Sequence, residues 1–260
     1  MILDNRADAA ARLILALDLP TRARALEFIH ETEGLVGSYK IGSQLFTAEG
    51  PTLVRDIVAR GQSVFLDLKF HDIPNTVAGA AVEAARLGVR MLTIHALGGE
   101  TMMRRAVEAV HDLCDGEGLT PPRLIAVTLL TSLGREDLKK IHLSGTPEEI
   151  VADLAELAYS CGMDGVVASA HECPAIRARV TDPRFVLIVP GIRPADSSPH
   201  DQQRIVTPGH ALRLGADYLV VGRPILESPT PRQAAERILA EIAAYCDRHL
   251  DTAESDLQGN

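Results

Sequence analysis

Eight short apolar runs alternate along this chain with stretches of helical spacing, and that alternation leaves few folds open to it. The runs are Leu13 to Leu19, Ser38 to Gly42, Val64 to Leu68, Arg90 to Ala96, Leu124 to Leu130, Gly165 to Ala170, Phe185 to Pro190 and Asp217 to Gly222. They are brief, bulky and bounded by turn residues, as strands of a parallel sheet are when both faces are buried. The helical patterns between them begin near Thr21, Pro51, Asn75, Glu100, Thr146, Pro174, Pro208 and Arg232. One is announced by Thr146-Pro147-Glu148-Glu149, which supplies an N-cap, a proline at the first helical position and early acids. Eight strand–helix units in 260 residues predict an α/β fold, a single-domain (β/α)8 TIM barrel over residues 1–250. The last segment, 251–260, reads as a disordered tail after a helix ending near Arg248. A doubly wound open sheet would need fewer strands and a GxGxxG turn, and the chain has no such turn. The polar stretches Gly116 to Pro122 and Arg135 to Gly145 yield no element from pattern alone.

Charge and cysteine usage narrow the function classes. A formal net charge of −9 argues against a nucleic-acid partner, so any anionic ligand must be held by a few local cations. The four cysteines, Cys114, Cys161, Cys173 and Cys246, form no CxxC pair, which fits reduced thiols in a cytoplasmic protein without a structural metal site. No apolar run reaches 18 residues, and the N-terminal stretch carries acids where a signal peptide would be basic, so no membrane partner is expected.

Chemistry concentrates in SVFLDLKFHDIPNT, Ser63 to Thr76. Side chains alternate along a strand, so Asp67 and Lys69 are expected on one face at the end of a buried run, with Asp72 three residues on. Two acids and a lysine so close are costly to bury unless they pair or react. A structural ion pair and a reactive site both meet that condition. In a barrel, reactive groups sit at the C-terminal ends of strands, and Asp18, Lys40, Asp67, Lys69, His95, Thr131 and Arg223 fall there. The opposite ends carry what read as ordinary surface residues, such as Arg12, Arg90 and Asp217. Gly222-Arg223 closes the eighth run in a form suited to a phosphate, and Arg193 after Pro190-Gly191 opens a polar stretch, 193–207, that reads as a lid containing Gln202. His95 has no metal or acid–histidine spacing and reads as a supporting residue.

The pieces LALDLP, YKIG, DLKFHDIPNT, VTLLTS, PGIRP, DQQRIVTP and VVGRPI resemble, in order and over nearly the whole chain, the orotidine 5′-phosphate decarboxylase family. DLKFHDIPNT is highly specific to that resemblance; VVGRPI alone would be weak. The resemblance implies decarboxylation of orotidine 5′-monophosphate to UMP by a homodimer, with no cofactor and no metal. It implies Lys69, Asp67 and Asp72 as catalytic residues, Lys69 stabilising and protonating a carbanion. Asp72, Ile73 and Thr76 would act at the partner's site. Asp18 and Lys40 would bind the ribose, Thr131 and Pro190 the ring, and Arg193, Gln202, Gly222 and Arg223 the phosphate. A related magnesium-dependent decarboxylase would carry an acid where this chain has Lys40, and a non-catalytic nucleotide-binding barrel is the alternative from another class.

Overall fold

In the computed structural model, which describes residues 5–194 and 206–258, the eight runs become eight parallel strands. The elements begin with α1 (Asn5–Arg12), β1 (Leu13–Ala16), α2 (Arg22–Thr32), β2 (Ser38–Gly42), α3 (Ser43–Ala59), β3 (Val64–Phe70), α4 (Pro74–Arg86), β4 (Met91–His95), α5 (Glu100–Glu117) and β5 (Arg123–Val127). They continue with α6 (Arg135–Lys140), α7 (Pro147–Ser160), β6 (Gly165–Val167), α8 (Cys173–Arg179), β7 (Val186–Val189), α9 (Pro208–Arg213), β8 (Tyr218–Val221), α10 (Arg223–Leu226) and α11 (Pro231–Gln258). Each strand pairs with its successor, and β8 returns to β1 with Val220 opposite Ile14, closing a TIM barrel.

Alternation along the short strands builds two apolar layers. Ile14, Phe65, Met91, Ile125, Ile188 and Val220 form a cluster of their own. Leu13, Leu15, Leu66, Leu92, Leu187 and Leu219 belong to the larger cluster shared with the helices. Alanines let α4 lie close to the barrel, where it buries Val77, Ala78, Ala81, Ala84 and Ala85. The foreseen start of α7 is a capping box: Thr146 Oγ1 accepts from Glu149 N at 3.2 Å and Glu149 Oε2 from Thr146 N at 2.9 Å.

Three differences from the sequence reading have physical causes. The apolar runs overshoot the ladders, because residues such as Leu17 and Leu129 stay buried after the strand has ended. Apolarity reports burial, and at these positions burial continues beyond the last ladder pair. Asp217 is not an ordinary surface residue: its Oδ2 accepts Leu187 N at 2.7 Å and pairs with Arg177 at 2.5 Å. Asp164 does the same for Leu124 N at 2.7 Å, so two carboxylates tie neighbouring strands together at their N-terminal ends. Finally, α11 runs on to Gln258 instead of stopping near Arg248, which places most of the segment expected to be disordered in helix; no proline or glycine interrupts it before Gly259.

Gly165 stands where β6 and β7 leave no room for a side chain. A Cβ there would lie 2.2 Å from Val186 O and 2.5 Å from its Cγ2, on the paired residue of β7. Gly165→Ala is expected to destabilise the fold by about 1–3 kcal/mol, the usual cost of overpacking, lowering the thermal midpoint by several degrees in a melt. An unchanged midpoint would show that β6 can shift freely.

Candidate active site

The site begins with a defect in the sheet. Leu66 of β3 pairs with Leu92 of β4, but the next pair is Phe70 with Ile94, so β3 carries a bulge over Asp67, Leu68 and Lys69. Lys69 takes a left-handed φ of 51°, one of two such non-glycine residues among those described, a conformation that costs on the order of 1 kcal/mol or more. Asp67 and Lys69 do meet, though strict strand alternation is not the reason: the bulged, left-handed backbone brings Lys69 Nζ to 2.9 and 2.8 Å from the two Asp67 oxygens.

Asp67 is 8% exposed, so its charge must be compensated locally. Besides Lys69, its Oδ2 pairs with Lys40 Nζ at 3.4 Å and its Oδ1 accepts from Thr93 Oγ1 at 3.1 Å. Burial opposes ionisation here, but the Lys40 and Lys69 charges and the hydrogen bonds from Lys69 and Thr93 outweigh it and hold the carboxyl below the usual range. Lys40 also reaches Asp18 Oδ1 at 3.2 Å, so one ammonium links the ends of β1, β2 and β3.

This charged cluster forms one wall of a cavity of about 360 Å³ at the C-terminal mouth of the barrel. Asp18, Lys40, Asp67, Lys69, Thr131, Pro190, Arg193, Gly222 and Arg223 all line it. Val127, Leu129, Val167 and Ile192 supply an apolar stretch of the same lining. Gly222 is the N-cap of the short α10, so Arg223 stands where β8 ends and that helix begins. Arg193 is only 6% exposed, and its backbone N–H donates to Val206 O at 3.1 Å beside a bridge between Ile192 and Val206. Both described ends of the 193–207 stretch are therefore fastened together at the cavity rim.

Three of the expected residues stand elsewhere. Asp72 is exposed and its Oδ1 accepts from Ile73 N at 2.6 Å, while Ile73, 67% exposed, and Thr76 project from the start of α4; none lines the cavity. Gln202 lies outside the described residues. His95 stacks on His71 with ring centroids 5.2 Å apart, and its Nδ1 accepts from Leu97 N at 3.4 Å. Burial, then His71 and Lys69, push its pKa down. Thr93 escaped the sequence reading. Its hydroxyl holds both Asp67 and the backbone N–H of Lys69, the latter at 2.8 Å, yet a threonine inside an apolar strand gives no signal of that. Among the described residues, no group of three or more His, Cys, Asp or Glu side chains is placed to hold a metal ion.

Known proteins are similar to this chain over most of its length. The chain is 51% identical over 237 residues to orotidine 5′-phosphate decarboxylase of Syntrophotalea carbinolica, covering 91% of this chain and 97% of that one. It is 48% identical over 233 residues to that of Nitrosococcus oceani, covering 90% and 98%. The crystal structure of orotidine 5′-phosphate decarboxylase from Lactobacillus acidophilus superposes with a TM-score of 0.78 at 34% identity, covering 88% of this chain and 98% of that one. The family model for orotidine 5′-phosphate decarboxylase / HUMPS matches residues 11–238, from just before β1 to within α11 and so across every element that builds the cavity, and the chain belongs to that family.

Proposed function

We propose that this protein decarboxylates orotidine 5′-monophosphate to UMP in pyrimidine biosynthesis. The observation that carries the reading is the Asp67–Lys69–Lys40 cluster facing a nucleotide-sized cavity that Arg193 and Arg223 also line. The relatives named above, matched over nearly their full length, support the same reaction.

The chemistry follows from the charge. When the carboxylate leaves as CO2, the C–C bond breaks and its electron pair stays on the ring carbon. A fixed ammonium beside that carbon stabilises the developing anion more than the neutral starting ring, and this difference lowers the barrier. Lys69 then gives a proton to the carbon, completing UMP, and its amine regains one from water. Asp67 keeps Lys69 charged and aimed, and its own charge crowds the substrate carboxylate. Asp18 and Lys40 bind the ribose, Thr131 and Pro190 the ring, and Arg193, Gln202, Gly222 and Arg223 the phosphate. A lysine at position 40, between two carboxylates, opposes the magnesium-dependent reading, because its ammonium competes for the same oxygens.

The working form proposed is a cytoplasmic homodimer. Asp72, Ile73 and Thr76 support it: all three are exposed, outside their own chain's cavity, and a 67% exposed isoleucine at a helix start suits burial against a partner. In the dimer, Asp72 would join the Lys69 of the neighbouring chain. Among the described residues, no helix is long and apolar enough to cross a membrane.

Three outcomes are expected. Purified protein in EDTA should consume orotidine 5′-monophosphate, followed by ultraviolet absorbance, and Lys69→Ala should lose at least about a thousandfold in kcat. Retained turnover in that variant would move the chemistry off Lys69. Arg223→Ala should lose about a hundredfold or more in kcat/KM, the equivalent of about 3 kcal/mol for a charge-assisted grip. A loss under about threefold would take Arg223 out of the phosphate site. The third outcome concerns pH. Asp67 has a folded pKa below its unfolded value, so its pairing stabilises the protein above the unfolded pKa and is lost as pH falls through the folded one. Lys40→Met removes the first of the influences that lower it, so the acid-unfolding midpoint should move to higher pH; coincident curves would refute that coupling.

A further inference from the structure

Thr93 sits in the middle of β4, fully buried, directly across from the bulge. Its neighbours Leu92 and Ile94 take the regular pairs with Leu66 and Phe70, leaving Thr93 opposite the extra residues of β3. There its hydroxyl does two things at once. It accepts the N–H of Lys69 at 2.8 Å, and it donates its single proton to Asp67 Oδ1 at 3.1 Å. A hydroxyl is among the few small groups able to accept and donate together, and the β-branched side chain holds it in a stiff rotamer.

We propose that Thr93 is a positioning residue for the decarboxylation: its hydroxyl fixes the left-handed backbone of Lys69 and the orientation of Asp67, and so aims the Lys69 ammonium into the cavity. The proposal rests on the reading of Lys69 as the reacting cation. Thr93 does not line the cavity, so it acts through these two neighbours and not on substrate. A left-handed φ is unfavourable for lysine, and the backbone keeps it where the surroundings over-determine it. Without the hydroxyl, the Lys69 N–H loses its partner, the backbone is freed to return toward an ordinary φ, and the direction of the side chain changes with it. Asp67 loses a donor at the same time, which frees its carboxylate to rotate away from Lys69.

The arginines assigned to the phosphate stand after β7 and β8, away from β3 and β4, so binding and turnover should separate. Thr93→Val keeps the shape and removes both hydrogen bonds; it should lose about tenfold or more in kcat while UMP affinity stays within about threefold. Thr93→Ser, which keeps the hydroxyl without the methyl group, should stay within about threefold of the parent. A smaller loss in Thr93→Val, an equal loss in Thr93→Ser, or a matching loss of UMP affinity would each overturn the proposal. If Thr93→Val does not fold, Thr93→Cys decides: its weak donor and acceptor should still cost about tenfold in kcat, and a loss below about threefold overturns the inference. Lys69→Ala is measured alongside. Activity surviving in Lys69→Ala overturns the underlying reading, whereas an inactive Lys69→Ala beside a fully active Thr93→Val overturns the role of Thr93 alone.

Discussion

A carboxylate taken out of water must be answered by its neighbours, and at the mouth of this barrel the arrangement of four strands turns on Asp67. It sits on β3, draws Lys69 back across a bulge of the same strand, takes Lys40 from β2 and a hydroxyl from β4, and through Lys40 reaches Asp18 beyond β1. Buried ion clusters contribute little to stability compared with an apolar core of similar volume, and removing one member is far worse than replacing all of them. Such a cluster is therefore expensive architecture for a barrel that needs only to fold. Its retention with a strained lysine at its centre is understandable if the charges have work to do on a ligand.

The cavity divides that work. Charged groups gather on the side of β1 to β3, and arginines stand after β7 and β8, with apolar side chains from β5 and β6 and the following loops in the lining between. In the proposed reaction the arginines grip a part of the substrate that does not change, while the cluster meets the part that does. Binding energy gathered at the unchanging end can hold the ring against fixed charges that favour the anion over its precursor. A rigid barrel suits this arrangement, since electrostatic stabilisation works best when the charges do not have to reorganise.

The sequence made the barrel legible because parallel, doubly covered strands leave unbroken apolar runs. It also showed which side chains gather at the mouth, since Asp18, Lys40, Asp67, Lys69, Thr131 and Arg223 follow or end those runs. Local backbone defects were not legible. Alternation placed Lys69 beside Asp67 for a reason the bulge replaces, and Thr93 looks like any β-branched strand residue until its partners are seen. Asp217 departs from its sequence pattern for a related reason: a polar residue before a strand can face solvent or cap a neighbouring strand, and only tertiary pairing distinguishes the two. Asp72, Ile73 and Thr76 could be singled out only by resemblance, because nothing within one chain explains where they point.

The bridge between Ile192 and Val206 has a consequence for how this barrel tolerates change. Because Ile192 and Val206 are bridged, any length of chain joining them must start and end at one fastened point on a rigid frame. The entropy of closing such a loop grows only logarithmically with its length, by about 0.6 kcal/mol for each doubling. Residues can therefore be gained or lost inside it over evolutionary time with little effect on folding and without displacing Arg193 or α9. The staple makes this stretch a place where related barrels can diverge in length while the frame beneath them stays in register.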